Sequence, residues 1–184
     1  KRVSDQFENL REALSEAMTV ADVILLSGGS SAGTKDLTQI AIDSFGSSDQ
    51  PPNVFIHGLA IKPGKPTIIG QIGAKAIIGL PGHPAACFIT TKALVEPFLD
   101  QLMHKVEARI RQIPCEVGFQ LHSASGRDVY QLVKVFYEEG RYKAHILYGK
   151  SGMVSAMAAA NAYVVIPMHH EGVKKGDVLL ANLL

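Results

Sequence analysis

Three loops in this sequence carry residue types that could receive a multiply charged anion. The first is Ser27-Gly28-Gly29-Ser30-Ser31-Ala32-Gly33-Thr34-Lys35-Asp36, set between a short apolar run and a helical pattern. Glycines let backbone N–H groups approach a ligand closely, and a helix start adds partial positive charge. Ser30, Ser31 and Thr34 add hydroxyl donors. The spacing is neither GxGxxG nor a Walker loop, so an ordinary dinucleotide or P-loop site is not implied. A tight turn needing glycine dihedrals is the plainer alternative. Asp36 either starts the following helix or holds Mg²⁺ beside a phosphate.

The second loop is Lys62-Pro63-Gly64-Lys65-Pro66. Its prolines stiffen the backbone and Gly64 permits the bend, so Lys62 and Lys65 could point compact positive charges at one anion. The alternative is a pair of solvated surface lysines. The third loop, Gly79-Leu80-Pro81-Gly82-His83-Pro84, again joins an apolar strand pattern to a helix start. His83 either bonds a ligand or caps that helix. Two later turns add candidates. Arg127, in Ser125-Gly126-Arg127-Asp128, could make a bidentate contact to an oxyanion, and Ser151, in Gly149-Lys150-Ser151-Gly152-Met153, could donate its hydroxyl. For both, a surface turn is the alternative. No Ser-His-Asp or Cys-His order is recognisable, which argues against a hydrolase.

The elements that would position these loops follow from periodicity. Phe7, Leu10, Leu14 and Met18 recur at helical spacing, with Ser4 as the expected cap. Asp22–Ser27 is a nearly continuous apolar run, the pattern of a strand buried on both faces of a parallel sheet. A helix is expected from about Lys35 to Phe45, strands at Val54–His57, Thr67–Gly70 and Ala76–Gly79, and a long helix from Ala85 to Met103 bent at Pro97. This alternation makes residues 1–104 an α/β domain with a mostly parallel sheet. The charged stretch from 105 to 112 is the expected boundary. Residues 105–184 then read as all-β, a small barrel-like domain or a sandwich, with strands at Ile113–Gln120, Val129–Glu138, Arg141–Leu147, Ala162–Pro167 and Val178–Leu183 and one helix at Met153–Ala160.

Composition narrows the function classes. The 184 residues are 47% hydrophobic and carry a net charge of +1, which argues against disorder and against a broad nucleic-acid surface. No apolar run reaches the ~18–20 residues of a membrane span, and the opening residues are too polar for a signal peptide. Cys87 and Cys115 form no CxxC pair and read as buried thiols of a reduced, cytoplasmic protein.

Taken in order, SGGSSAGTKD (27–36), LAIKPGKP (59–66), GLPGHP (79–84) and GKSGMVSAMAAANAYVVIP (149–167) resemble the molybdopterin molybdenumtransferase family, the MoeA and gephyrin E-domain group. The resemblance covers essentially the whole chain, as a C-terminal portion of that family. It implies insertion of molybdate into adenylated molybdopterin, with release of AMP and a need for Mg²⁺. By motif it places Gly28, Gly29, Ser30 and Ser31 at the pterin or phosphate pocket. Asp36 falls at the metal and Lys62 and Lys65 at molybdate. Pro81, Gly82, His83 and Pro84 fall around the same pocket, with Arg127 and Ser151 at further oxyanion contacts. It also implies a homodimer at full length and a small-molecule pterin as partner, with no nucleic acid or membrane. His83 and Ala86 depart from the family's usual Asn and Ser, which leaves molybdate and tungstate both open. The family's earlier domains are not in this sequence, so weak or no turnover is expected of these residues alone. Two alternatives remain at this point. One is the related molybdopterin adenylyltransferase, which lacks the KPGKP loop and the β-rich domain. The other is a non-catalytic pterin-binding or scaffold module.

Overall fold

The structure, a computed structural model, describes residues 1–28, 37–47, 49–105, 112–123, 126–147 and 153–184. The chain forms two compact units. One comprises Lys1–Leu59 with Gly64–Cys87, the other Ala60–Pro63 with Phe88–Leu184.

In the first unit, α1 (Phe7–Val20) leads into β1 (Val23–Ser27), followed by α2 (Leu37–Asp43) and β2 (Val54–His57). The chain then leaves to contribute β3 (Ile61–Lys62) to the second unit and returns as β4 (Ile68–Ile72) and β5 (Lys75–Leu80). The sheet order is β1-β5-β4-β2. Leu14 of α1 and Ala41 and Ile42 of α2 bury against Ile24, Val54, Ile68 and Ile77, so both helices cover one face.

Three expectations are corrected here. The sheet is mixed rather than mostly parallel: β1–β5 is parallel, but β4–β5 and β2–β4 are antiparallel. For β4–β5 the reason is the connection Gly73-Ala74, with Gly73 at φ 58°, which is too short for any parallel crossover. Ser4 does not cap α1. The helix starts after Gln6 with no side-chain cap bond, and the Ser4 hydroxyl instead accepts from Asn9 Nδ2 at 2.7 Å. β1 reads as a strand buried on both faces, yet it lies at the end of the described sheet with Leu25 46% exposed.

The long helix runs as α3 (Pro84–Thr90), a π turn (Thr91–Val95) and α4 (Glu96–Leu102). The Glu96 N–H reaches back to Thr91 O, and Pro97 has no N–H to donate. The hydrogen-bond ladder therefore widens just before the proline and the helix continues through it.

The second unit closes a five-stranded barrel. Its strands are β6 (Gln112–Val117), β8 (Asp128–Glu138), β9 (Arg141–Ile146), β10 (Ala162–Ile166) and β12 (Val178–Leu183). The ring order is β10-β12-β6-β9-β8, with β8 pairing back to β10. All pairs are antiparallel except β6–β9. Closure removes the edge strands a small sheet would expose. Cys115, Val117, Val133, Ala144, Val164 and Ala181 point inward as part of the core. A short pair, β7 (Leu121–His122) with β11 (Gly172–Val173), lies outside the ring, and α5 (Met153–Ala159) precedes β10. The short strands β3, β7 and β11 carry no period-2 signal, because two residues cannot show one.

Candidate functional site

In the first unit, β1 and β5 run parallel with Ser27 opposite Leu80, so both strands end at the same level. Their continuations, Gly28 and Pro81-Gly82, therefore start side by side, at the carboxyl end where open α/β sheets place ligands. Gly28 has φ +98°, a left-handed conformation suited to glycine. A Cβ on Gly82 would meet Gly28 Cα at 3.5 Å. Gly28 and Gly82 thus meet backbone to backbone. Pro81 is buried, while Gly82, His83 and Pro84 are exposed. The His83 carbonyl accepts the Cys87 N–H at 2.9 Å, which begins α3, and Pro84 takes the first helical position. A groove of about 1240 Å³ runs from Ser27 and Gly28 past Leu37 and Thr38 and along α1 and β1.

Lys65 also belongs to this unit. Its carbonyl accepts the N–H groups of Leu59 at 2.9 Å and Thr67 at 2.8 Å. The buried Thr67 hydroxyl donates to Gly64 O at 2.7 Å. These bonds close the loop on its own backbone and leave the Lys65 side chain exposed.

In the second unit, β3 pairs parallel with the start of β8: Ile61 lies opposite Asp128 and Lys62 opposite Val129. Side chains alternate along a strand, so Arg127, Val129 and Lys62 share one face, with Lys62 and Arg127 diagonal neighbours. Two cations 65 positions apart in sequence are thereby brought together. Neither they nor Lys65 pair with a described carboxylate, whereas Lys75, Lys92, Lys105, Arg141 and Lys143 all do. The Lys62–Pro63 peptide bond is cis.

Gly29, Ser30, Ser31, Asp36 and Ser151 lie outside the described residues. Among the described residues there is no group of three or more His, Cys, Asp or Glu that could hold a metal ion. No helix among them is long and apolar enough to cross a membrane. Asp128 was not singled out by sequence reasoning, although it stands beside Arg127. Its Oδ1 accepts the Met168 N–H at 2.8 Å. Burial, and then the charge of Asp128, push the Tyr130 hydroxyl above its ordinary value.

Residues 1–101 match the family described as "Probable molybdopterin binding domain". The chain belongs to that family. Residues 115–184 match the "MoeA C-terminal region (domain IV)", which places the chain in the MoeA group. Among curated relatives, a putative molybdopterin biosynthesis protein of Methanocaldococcus jannaschii is 29% identical over 99% of this chain. A molybdopterin molybdenumtransferase of a Nostoc species is 29% identical over 98%. This chain spans 41% and 42% of their lengths. The crystal structure of a molybdopterin biosynthesis MoeA protein from Pyrococcus horikosii superposes with a TM-score of 0.79 at 32% identity, covering 98% of this chain and 42% of that one. These matches agree with an α/β domain followed by a barrel-like one.

Proposed function

We propose that this chain carries part of the machinery of a molybdopterin molybdenumtransferase, which inserts molybdate into adenylated molybdopterin and releases AMP. The observation that carries the reading is the register of β3 against β8, which puts Lys62 and Arg127 on one face with no described carboxylate to neutralise them. A dianion such as molybdate or tungstate needs fixed positive charge and donors in advance of its arrival. Lys62 and Lys65 supply point charges and Arg127 a planar fork, with Ser151 adding a hydroxyl. Gly28 and Gly82 give the pterin's phosphate close access to backbone N–H groups, and Gly29, Ser30 and Ser31 are proposed as further donors to it. Pro81, His83 and Pro84 fix the shape of the third loop.

Asp36 is the carboxylate proposed to hold Mg²⁺, which would supply charge at the phosphate. Positioning and electrostatics, rather than a covalent enzyme intermediate, would lower the barrier. The same reading makes the protein cytoplasmic and, at full length, a homodimer acting on a small-molecule pterin.

Calorimetric titration with molybdate, tungstate and sulfate tests it, beside a Lys62→Ala/Lys65→Ala variant. Binding of molybdate or tungstate in preference to sulfate, abolished in the variant, is the expected result. Equal affinity for sulfate, or no effect of the variant, would refute the assignment.

A further inference from the structure

One residue holds the start of β8 from both sides. The Asp128 N–H donates to Ala60 O at 2.9 Å, just before β3, and the Asp128 carboxylate accepts the Met168 N–H at 2.8 Å. The β8–β10 ladder ends at the Val129–Ile166 pair, so Arg127 and Asp128 lie beyond its last rung. The carboxylate takes the place of the next rung, tying the turn after β10 to β8. Strand alternation directs this carboxylate to the face opposite Arg127 and Lys62. Its effect on Tyr130, two residues on and on its own face, agrees with that placement. The negative charge therefore anchors a backbone N–H rather than neutralising the cations beside it.

We propose that Asp128 is a positioning residue for the oxyanion site: its carboxylate ties the Met168 N–H to the first residue of β8, whose backbone N–H already bonds Ala60, and so holds Arg127 and Lys62 on one face. This rests on the reading that Lys62 and Arg127 receive the oxyanion. A supporting group of this kind acts through the side chains it orients, and loss of such supports weakens ligand affinity by about tenfold or more in well-studied metal sites.

The test is molybdate calorimetry on the full chain, comparing wild type with Asp128→Ala, Asp128→Asn, Lys62→Ala and Asn161→Ala. Asp128→Ala is expected to bind molybdate about tenfold more weakly. Asp128→Asn keeps an oxygen that accepts the Met168 N–H and restores affinity to within about threefold. Asn161→Ala loosens the same barrel farther along β8, through Val135, and lowers the melting temperature without changing affinity. If Asp128→Ala does not fold, Asp128→Glu gives the same loss in smaller measure, because it moves the acceptor by one methylene. Wild-type affinity in Asp128→Ala, with Lys62→Ala weakened, would overturn the positioning role and leave the site intact. An equal loss in Asn161→Ala would reduce the effect to general loosening and overturn it too. A wild type that does not bind, or a Lys62→Ala variant that binds unchanged, would overturn the site reading and this inference together.

Discussion

Gly82 approaches Gly28 so closely that a Cβ on the former would stand 3.5 Å from the latter's Cα. Of the two, only Gly28 adopts a conformation that demands glycine. Gly28 adopts φ +98° with nothing within 4 Å of its missing Cβ, whereas Gly82 lies in ordinary backbone space with Gly28 against it. Gly28→Ala is therefore expected to cost about 1–2 kcal/mol through the backbone alone. Gly82→Ala makes ordinary van der Waals contact and costs a few tenths of that. The sequence has no tryptophan, so circular-dichroism melts are the suitable readout. Gly28→Ala should lower the midpoint by roughly 2–8 °C and Gly82→Ala by much less. Equal shifts would mean that contact, not the dihedral, decides both positions.

Lys62 and Lys65 pair with no described carboxylate, so removing either charge should scarcely change stability, within about 0.5 kcal/mol. Oxyanion affinity should fall about tenfold or more for each single alanine variant, the scale of one charge-assisted hydrogen bond. It should also weaken as salt rises, since both side chains are exposed. Affinity that ignores both the variants and the salt would place the oxyanion elsewhere.

Asn161 imitates a strand. Its Oδ1 accepts the Val135 N–H at 2.7 Å and its Nδ2 donates to Val135 O at 2.8 Å. Asn161→Ala leaves both partly buried groups of Val135 without that partner and should cost about 2–3 kcal/mol. Asn161→Asp keeps the acceptor but sets a second carboxylate oxygen against Val135 O, so it should be no more stable than the alanine variant. Urea midpoints for the two variants check this, and an aspartate variant as stable as wild type would show that only the N–H matters.

At the β8–β9 turn, Lys143 Nζ bridges Glu138 at 2.9 Å and Glu139 at 2.7 Å. The hydrogen bond from Lys143, and then its charge, lower the Glu139 carboxyl below its ordinary value. A carboxyl lowered on folding contributes stability above the ordinary carboxylate range, and that contribution is lost as pH falls through the folded value. Lys143→Met should therefore lie below wild type near pH 7 and converge with it as pH falls toward 3, by a small amount that salt reduces further. Melting temperatures across that range test the sign. A gap constant with pH would assign the difference to packing instead.

The candidate anion loops were legible because glycine and proline at fixed spacing shape the backbone by themselves, as in Lys62-Pro63-Gly64-Lys65-Pro66. Long elements were legible for a similar local reason: α1 follows a helical period, and the apolar run at Val178–Leu183 forms a strand with those bounds. The sheet's mixed direction was not, since the strand pattern of Lys75–Leu80 is the same whichever way its neighbour runs. Nor was the shared face of Lys62 and Arg127. It depends on the two-residue strand β3, too short to have a period, meeting β8 far along the chain. The sequence by itself determined which side chains could meet an anion and which segments would be stiff. Only the tertiary structure decided that Gly28 meets Gly82, that Lys62 shares a face with Arg127, and that Asp128 turns its charge away from them. Those relations are set by strand register, and register is fixed by packing between segments distant in sequence.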